Sequence, residues 1–350
     1  MKKLAVVISP NYKDYAKKYL NDCLASLRAQ TYKEFDIFLV DNESTLETCL
    51  FLQMAAPEAT VIPLEKNEGF AGGNNAALKV VIEKGYDYAF LINMDAVAEV
   101  DCLEKLVNFA DKNPQLGAIQ PRLMLWPEKD LINSLGNETH FLGFGYCNAY
   151  KKKFDPTTDN LTKAISYASG AGVLYRVSAL KQVGLFDEVF WMYNEDQDIC
   201  LRMWFEGFPV YVFSEAVVYH KYEFNRSIKS YYWLDRNRIL ILLKYYHWLT
   251  LILIKPAALI MELGLLMFSI KNGYLKEKLR VWVYLIKPST WRYIFAQRKV
   301  IQPSRKMSDL ELLKLFTGEI AFQELASPLL KLANVFLKAY WQIIRFIIFW

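Results

Sequence analysis

Hydrophobic and polar residues follow two different periods along the first 120 residues of the chain. Short apolar or β-branched runs that end in polar residues predict strands at 4–9, 36–40, 60–64 and 88–93. Helical periodicity predicts helices at 14–30, 71–84 and 101–112. Strands and helices that alternate at this spacing indicate an α/β fold with a mainly parallel sheet covered by helices.

The second part of this pattern is less regular. Residues 120–170 contain Gly, Pro and a lysine run, and predict an irregular excursion from the sheet. A glycine turn and a strand are expected at 169–176, a helix with an acidic start at 195–206, and a last strand at 209–219. Because ligands bind outside the carboxyl ends of parallel strands, we expect the functional site at that edge of the sheet.

The chain has 350 residues with a formal net charge of +5, and this charge is distributed unevenly between two segments. Residues 1–220 hold 21 Lys and Arg against 29 Asp and Glu, whereas residues 221–350 hold 21 against 8. A basic tail indicates an anionic partner. The hydrophobic content of 53% and the apolar character of the tail favour a membrane surface over nucleic acid.

The tail contains two apolar stretches with different patterns. The stretch 239–270 is interrupted by charges, including Lys255 and Glu262, so no uncharged run reaches the roughly 18–20 residues that span a bilayer. The stretch 328–350 predicts an apolar helix with a narrow polar stripe, which is typical of a helix in the membrane interface. The stripe consists of Lys331, Asn334, Lys338, Gln342 and Arg345.

The cysteines are odd in number and scattered along the chain. They are Cys23, Cys49, Cys102, Cys147 and Cys200. This spacing fits neither a zinc site nor a disulfide framework, and it favours a reducing compartment.

Two segments near the predicted sheet edge could bind a nucleotide. Asp41 follows the second strand and could accept hydrogen bonds from a base or a ribose, although Asp41 or Ser44 could equally cap a helix. The run 66–75, KNEGFAGGNN, places glycines at a helix start, where N–H groups can approach a diphosphate. Taken alone, this run is better explained as a tight turn.

Two further segments carry acidic groups. Asp95 follows the strand that ends at Asn93 and could hold Mg²⁺ or Mn²⁺, or could cap a helix. Residues 195–198, EDQD, bring together three carboxylates, whose mutual repulsion makes one of them a candidate general base. The helix dipole could instead stabilise these charges. His220, at the end of the last strand, is a structural residue or a metal ligand.

Together these motifs resemble the inverting family-2 glycosyltransferases with the GT-A fold, and most closely their rhamnosyltransferase branch. The resemblance rests on VDNES, KNEGFAGGNN, NMD, SGAGVLYR, VGLFDE and YNEDQDICLR. It implies a Rossmann-like sheet flanked by helices in a catalytic domain at 1–225, with the donor side at 1–120 and the acceptor side at 121–225. Residues 226–350 would form a helical, membrane-associating extension.

The resemblance also implies residue roles. Asp196 would be the catalytic base. Donor-binding residues would be Asp41, Asn67, Gly69, Gly72, Asn74, Asn93 and Asp95. Asp95 and His220 would hold Mg²⁺ or Mn²⁺. Acceptor-side residues would be Gly170, Glu195, Asp198 and Arg236.

The implied activity is the transfer of one sugar, with L-rhamnose as the first candidate, from a dTDP- or UDP-sugar to a glycan or polyprenyl-diphosphate-linked acceptor. It would take place at the cytoplasmic face of the membrane, in cell-surface polysaccharide synthesis. The family's processive synthases carry QxxRW, whereas Gln302 and Arg305 are followed here by Lys306, which indicates non-processive transfer.

Two other functions remain open at this point. A nucleotidyltransferase that makes the donor would need a basic glycine-rich loop after the first strand, where the chain has residues 9–12, SPNY. A non-catalytic membrane-docked scaffold is disfavoured by the intact Asp41, Asp95 and Asp196.

Overall fold

The computed structural model describes residues 3–222, 230–320 and 328–350, with side chains 328, 329 and 331 left aside. The chain divides into two compact units. The first consists of residues up to 137, 147–203 and 208–222; the second consists of 138–146, 204–207 and residues from 223 onward. The domain boundary predicted at 225 lies outside the described residues.

The first unit is built on a ten-stranded sheet with helices between its strands. The strands are β1 (Leu4–Asn11), β2 (Phe35–Asp41), β3 (Ala59–Pro63), β4 (Tyr88–Ile92), β5 (Ala96–Ala98), β6 (Ala118–Leu125), β7 (Ile132–Ser134), β10 (Thr162–Ala164), β11 (Gly172–Arg176) and β12 (Val210–His220). The helices are α1 (Tyr15–Arg28), α2 (Leu46–Ala55), α3 (Gly69–Glu83), α4 (Cys102–Lys112), α5 (Val177–Val183) and α6 (Glu195–Phe205), with a 3₁₀ turn at Glu188–Phe190.

The main path of the sheet runs β10-β12-β6-β11-β4-β1-β2-β3. Strands β4, β1, β2 and β3 are parallel neighbours, and β6 and β12 form a second parallel pair. Strand β11 is antiparallel to both β4 and β6. The carboxyl ends of the parallel strands therefore lie on the same edge as the beginning of β11, which confirms the predicted mostly parallel α/β sheet.

Both faces of the central strands are covered, as the continuous apolar sequence of β1 requires. Leu4, Val6 and Ile8 are fully buried in one core with Leu20 and Leu24 of α1. Helix α4 packs on the same core, and α3 contacts β1 and β2. This packing holds the strand ends in fixed positions.

The expectation of an irregular segment at 120–170 is wrong for its first part. Strand β6 is buried in the middle of the sheet, between β11 and β12. Its sequence, AIQPRLML, contains Gln120, Pro121 and Arg122, which interrupt the apolar run that would otherwise predict a strand. The remainder of the segment consists of short strands and turns.

The second unit is mainly helical. Its helices are α7 (Tyr231–Tyr245), α8 (Trp248–Lys271), α9 (Leu275–Ile286), α10 (Pro288–Ser304), α11 (Asp309–Lys314) and α12 (Pro328–Ile347). A small sheet orders β13 (Phe316–Thr317), β8 (Asn137–His140) and β9 (Gly145–Cys147). The helical extension predicted for the tail is confirmed in the described residues.

Helix α8 is long and apolar enough to cross a membrane, with a mean hydropathy of 2.1 over its most apolar window. It includes Lys255 and Glu262, so the absence of an uncharged run of roughly 18–20 residues, noted from the sequence, still holds. One such helix does not establish a membrane span, because core helices of soluble proteins share these properties. Its acidic residue, Glu262, contacts Arg238 and accepts a hydrogen bond from Lys278 Nζ at 2.6 Å. Lys278 also pairs with Asp235 at 2.7 Å, so the charge of Glu262 is neutralised within the unit.

Two polar side chains of helix α12 bond to the segment that precedes it. Asn334 exchanges hydrogen bonds of 2.9 and 2.8 Å with the backbone of Ile320, and Lys338 pairs with Glu319 at 2.8 Å. Apolar side chains lie on both sides of this helix: Leu337 and Ile344 are buried, whereas Phe346 is 93% exposed. The exposed apolar side chains distinguish it from a helix that turns only polar residues to water.

Candidate active site

Asn93, Asp95 and His220 come together at the carboxyl edge of the sheet. His220 ends β12, and its backbone pairs with Ala96, one residue beyond Asp95. His220 Nε2 lies 3.2 Å from Asp95 Oδ1 and 3.5 Å from the Asn93 amide. Tyr15 OH donates a 2.6 Å hydrogen bond to Asp95 Oδ2. The predicted association of Asp95 with His220 is thus present in the fold.

The surroundings of His220 fit a divalent cation. Nδ1 lies 3.1 Å from Asn133 Oδ1, so an Nδ1–H donor leaves the Nε2 lone pair facing Asp95. Asn93 Oδ1 is buried and accepts no hydrogen bond within the described part of the chain. No three His, Cys, Asp or Glu side chains cluster there as a complete metal site. A cation at Asp95 and His220 would therefore need Asn93 and substrate phosphates as further ligands.

Asp196 is connected to the same edge of the sheet by hydrogen bonds to two consecutive residues of a turn. Gly170 N–H donates to Asp196 Oδ2 at 3.2 Å, and Ala171 C=O accepts the Asn93 N–H at 3.1 Å. The Gln197 N–H donates to Asp196 Oδ1 at 2.8 Å. The turn therefore connects the candidate base directly with the strand end that carries Asp95.

The electrostatics of the EDQD segment suit general-base chemistry. Burial raises the pKa of Asp196 to about 6, against the opposing effect of the N–H groups of Gly170 and Gln197. Burial raises the pKa of Glu195 well above its ordinary value, and the charge of Asp196 adds to this effect. Glu195 is thereby favoured in its protonated form beside Asp196, which is deprotonated near neutral pH.

Asp41 is held at the end of β2 by three donors. Asn11 Nδ2 donates to Oδ1 at 2.8 Å, while the hydroxyl groups of Ser44 and Thr48 donate to Oδ2 at 2.6 Å each. The cap of α2 is Thr45, not Asp41 or Ser44. One acceptor position of Oδ1 remains, which is what a bond from a nucleobase would use.

The glycines of the KNEGFAGGNN run permit close packing. A Cβ on Gly69, which has φ +70°, would lie 2.5 Å from the Trp191 carbonyl oxygen, and one on Gly73 would lie 2.4 Å from Pro10. Asn67 Oδ1 accepts the Gly69 N–H at 2.9 Å, and Trp191 C=O accepts the Ala71 N–H at 3.1 Å. Two N–H groups at the start of α3 thus already have protein acceptors, as the tight-turn explanation of this run predicts.

Other donor-side residues have defined positions as well. Gly72 lies against Glu68, where an added Cβ would approach the Glu68 side chain to 2.7 Å. Asn74 is fully buried and donates to Phe70 C=O at 2.9 Å. The donor-binding roles of Asn67, Gly69, Gly72 and Asn74 stay predictions.

Asp198 has surroundings that differ from the acceptor-side role predicted for it. It is fully buried and pairs with Arg202 Nε at 3.0 Å. Arg202 also donates to the carbonyl groups of Val183 and Leu185, at 2.5 and 2.7 Å. This pair fixes α6 to the turn that follows α5.

We expect Asp198→Asn to lower the free energy of unfolding by about 1.5–3 kcal/mol, because it weakens a charge-assisted hydrogen bond. Urea unfolding followed by tryptophan fluorescence measures this change. Unchanged stability combined with weaker acceptor binding would instead support the predicted acceptor-side role.

Arg236, the last acceptor-side residue predicted, is buried in the second unit. Its guanidinium lies 4.5 Å from the Trp233 ring centre and 5.0 Å from that of Tyr284. Desolvation lowers its pKa. Gln302 also has a structural role, since its Nε2 donates to the C=O groups of Lys244 and Tyr245 at 2.9 and 3.0 Å.

Three asparagines of the first unit were not foreseen from the sequence. Asn42 Nδ2 donates to Asn67 Oδ1 at 3.0 Å and ties the glycine run to β2. Asn75 Nδ2 donates to Phe186 C=O at 2.9 Å and fixes the VGLFDE segment on α3. Asn42 and Asn75 lie within the motifs described above, which could have identified them. Asn133, the partner of His220, lies in the segment expected to be irregular, and no sequence motif marks it.

Comparison with known proteins agrees with this geometry. The family model for glycosyl transferase family 2 matches residues 6–184, about half of the chain. A Mycobacterium tuberculosis protein named N-acetylglucosaminyl-diphospho-decaprenol L-rhamnosyltransferase is 28% identical over 240 residues, which cover 62% of this chain and 75% of that protein.

Two solved structures share the fold. Staphylococcus aureus TarS aligns with a TM-score of 0.52 at 19% identity, over 98% of this chain and 55% of its own. GalNAc-T7, solved with UDP, GalNAc and Mn²⁺, aligns with a TM-score of 0.50 at 14% identity, over 63% of this chain and 43% of its own. The predicted family and the predicted GT-A-like fold are both confirmed. The chain belongs to glycosyl transferase family 2, and it is a glycosyltransferase.

Proposed function

We propose that the chain transfers a single sugar, with inversion, from a pyrimidine nucleotide-diphosphate donor to a lipid-linked glycan acceptor. The observation that carries this proposal is the turn at Gly170 and Ala171, which joins Asp196 to the strand end bearing Asp95. A base and a group able to hold a cation thus lie at one sheet edge. Family membership supports nucleotide-sugar-dependent transfer in cell-surface polysaccharide synthesis.

In the proposed reaction, the acceptor hydroxyl oxygen attacks the anomeric carbon of the donor sugar. Asp196 takes the hydroxyl proton as the new C–O bond forms. The bond to the diphosphate breaks on the opposite face, and the nucleoside diphosphate leaves with the electron pair. Asp196 suits this role because its pKa of about 6 leaves it deprotonated, yet basic, near neutral pH.

Asp95, His220 and Asn93 are the residues proposed to hold Mg²⁺ or Mn²⁺. A bound cation supplies positive charge next to the departing diphosphate. Asn133 keeps the His220 ring oriented, and Tyr15 orients the Asp95 carboxylate. The similar GalNAc-T7 was solved with Mn²⁺ and UDP, which supports this assignment.

Asp41 is proposed to recognise the donor base, because its Oδ1 can accept the N3–H of uracil or thymine. L-Rhamnose on dTDP is the first candidate donor, since the M. tuberculosis relative is named as an L-rhamnosyltransferase. A polyprenyl-diphosphate-linked glycan is the first candidate acceptor, since that relative's name specifies a diphospho-decaprenol substrate.

A lipid-linked acceptor requires access to the membrane, and the second unit supports a peripheral position at the cytoplasmic face. The exposed side of α12 carries Phe336 and Phe346, and Phe349 lies just beyond its end; they are 68%, 93% and 83% exposed. Among the described residues from 230 onward, exposed charges are almost all basic, as at Lys255 and Arg280. Basic residues near anionic lipid contribute about 1 kcal/mol each.

We expect the triple variant Phe336→Ser, Phe346→Ser and Phe349→Ser to lose most of its binding to vesicles of phosphatidylglycerol and phosphatidylcholine in a flotation assay. About 1 M salt should release little of the parent chain, because the apolar contribution is not screened.

The matched control for this prediction lies on α2 of the first unit, which also exposes three large apolar side chains, Leu46, Leu50 and Met54. Their replacement by serine should leave vesicle binding intact. Equal losses in both triple variants, or no binding by the parent chain, would contradict the membrane position.

The donor proposal is tested by a panel of nucleotide sugars and a binding competition. The chain should release nucleoside diphosphate from dTDP-L-rhamnose or from a UDP-sugar when the lipid-linked acceptor is supplied. Tighter binding of GDP-sugars than of dTDP- and UDP-sugars would contradict the role of Asp41.

A further inference from the structure

The turn that joins Asp196 to Asn93 is itself held by a side chain of the central strand β6. Gln120 is fully buried, and its Oε1 accepts the Ser169 N–H at 2.9 Å. Ser169 directly precedes Gly170, whose N–H donates to Asp196. The Gln120 side chain thus connects the sheet core with the segment that supports the base.

The orientation of the Gln120 amide is fixed on its other side. Nε2 lies 3.3 Å from Ser134 Oγ and 3.5 Å from Ser134 C=O, both of which can accept its protons. Ser134 Oγ in turn donates to Asn137 Oδ1 at 2.7 Å. Because the Nε2 group faces these acceptors, Oε1 is directed to the Ser169 N–H.

We infer that Gln120 is a positioning residue for the glycosyltransferase site: it holds the turn at 169–171, which presents the Gly170 N–H to Asp196 and the Ala171 carbonyl to Asn93. The inference rests on the proposed role of Asp196 as the base. An apolar residue at position 120 would fill the same space but would leave the Ser169 N–H without its acceptor, so the turn could move away from Asp196.

Movement of the turn away from Asp196 should change the pKa of Asp196 in one direction, which can be measured. The Gly170 hydrogen bond lowers the pKa of Asp196, so its loss raises that pKa further above 6. The ionisable neighbours of Asp196 are Glu195, Cys147, Cys200, Tyr167 and Tyr175. Burial raises the pKa of each, so the cysteines and tyrosines stay neutral while Asp196 titrates, and Glu195 titrates in coupling with it.

The test compares Gln120→Met with the parent chain by NMR titration of ¹³C-labelled aspartate carboxyl groups, with the Asp196 signal assigned by its loss in Asp196→Asn. We expect the Asp196 midpoint to rise by about 0.5–1 pH unit. The acidic limb of kcat should move by the same amount, with dTDP-L-rhamnose and a lipid-linked N-acetylglucosamine acceptor as substrates. If the parent chain transferred no sugar, the proposed function would fail, whereas the titration would still report on Gln120.

The matched control is Gln30→Met. Gln30 is also fully buried and bonds to backbone groups: its Oε1 accepts the Leu103 N–H at 3.0 Å, and its Nε2 donates to the C=O groups of Ser26 and Glu99. Its replacement should cost stability without moving the Asp196 midpoint. An unmoved midpoint in Gln120→Met, or an equal shift in Gln30→Met, would overturn the inference. If Gln120→Met does not fold, Ser134→Ala should raise the Asp196 midpoint by a smaller amount. An unmoved midpoint in Ser134→Ala would then overturn the inference.

Discussion

Replacement of Asp196 by asparagine is expected to lower turnover by about 10²–10⁴-fold while donor binding is retained. Asparagine keeps the size of the side chain and can still accept the hydrogen bond from Gly170, but it cannot take a proton. Because burial raises the pKa of Asp196 to about 6, turnover of the parent chain should rise with pH through about pH 6 and then level off.

Stability measurements distinguish this loss from unfolding. An acid whose pKa is raised in the folded state binds extra protons there, so its contribution to stability decreases as pH rises through that pKa. Asp196→Asn should therefore be at least as stable as the parent chain at pH 7.5, in contrast to Asp198→Asn. Near-normal turnover in Asp196→Asn would transfer the role of base to Glu195 or Asp198.

Removal of divalent cations is expected to abolish transfer, and Mg²⁺ or Mn²⁺ should restore it. The reason is that Asp95 and Asn93 lie 3.2 and 3.5 Å from His220 Nε2, where a diphosphate could complete the metal shell. Asp95→Asn should lower turnover by about 10²-fold or more, since a cation next to the leaving group is worth several kcal/mol. Steady-state rates in EDTA, and after cation is added back, measure the effect.

EDTA that has been saturated with Mg²⁺ beforehand is the matched control and should leave the rate unchanged. Full activity in the free chelator would mean that cationic side chains, rather than a metal, stabilise the departing diphosphate.

The edge of the sheet that carries the site was predictable because it depends on patterns within short stretches of the sequence. Each strand run ends in a polar residue, and parallel strands bring such ends together, so Asp41 and Asp95 could be assigned to one edge before any contact was known. Strand β6 could not be predicted in the same way, because Gln120 and Arg122 are polar residues within a buried strand. They are accommodated by tertiary contacts, such as the bond from Ser169 N–H to Gln120, that have no local pattern.

The roles of individual acids were harder to predict than their positions. Asp196 and Asp198 are two residues apart on one helix, yet one accepts an N–H bond from the turn at Gly170 and the other pairs with Arg202. The sequence shows only that both are acidic. The same holds for the tail: the polar stripe was visible in the sequence, but the partners of Asn334 and Lys338, which are Ile320 and Glu319, could not be predicted from it.

The anomeric configuration of the first product tests the central claim most directly. The parent chain would be supplied with dTDP-L-rhamnose, or with the nucleotide sugar that the donor panel selects, and a lipid-linked acceptor. One-bond carbon–proton couplings at the new anomeric carbon would then be measured by NMR. A direct displacement assisted by Asp196 predicts a product whose anomeric configuration is opposite to that of the donor. A product with the donor's configuration would contradict single displacement, and with it the role assigned to Asp196.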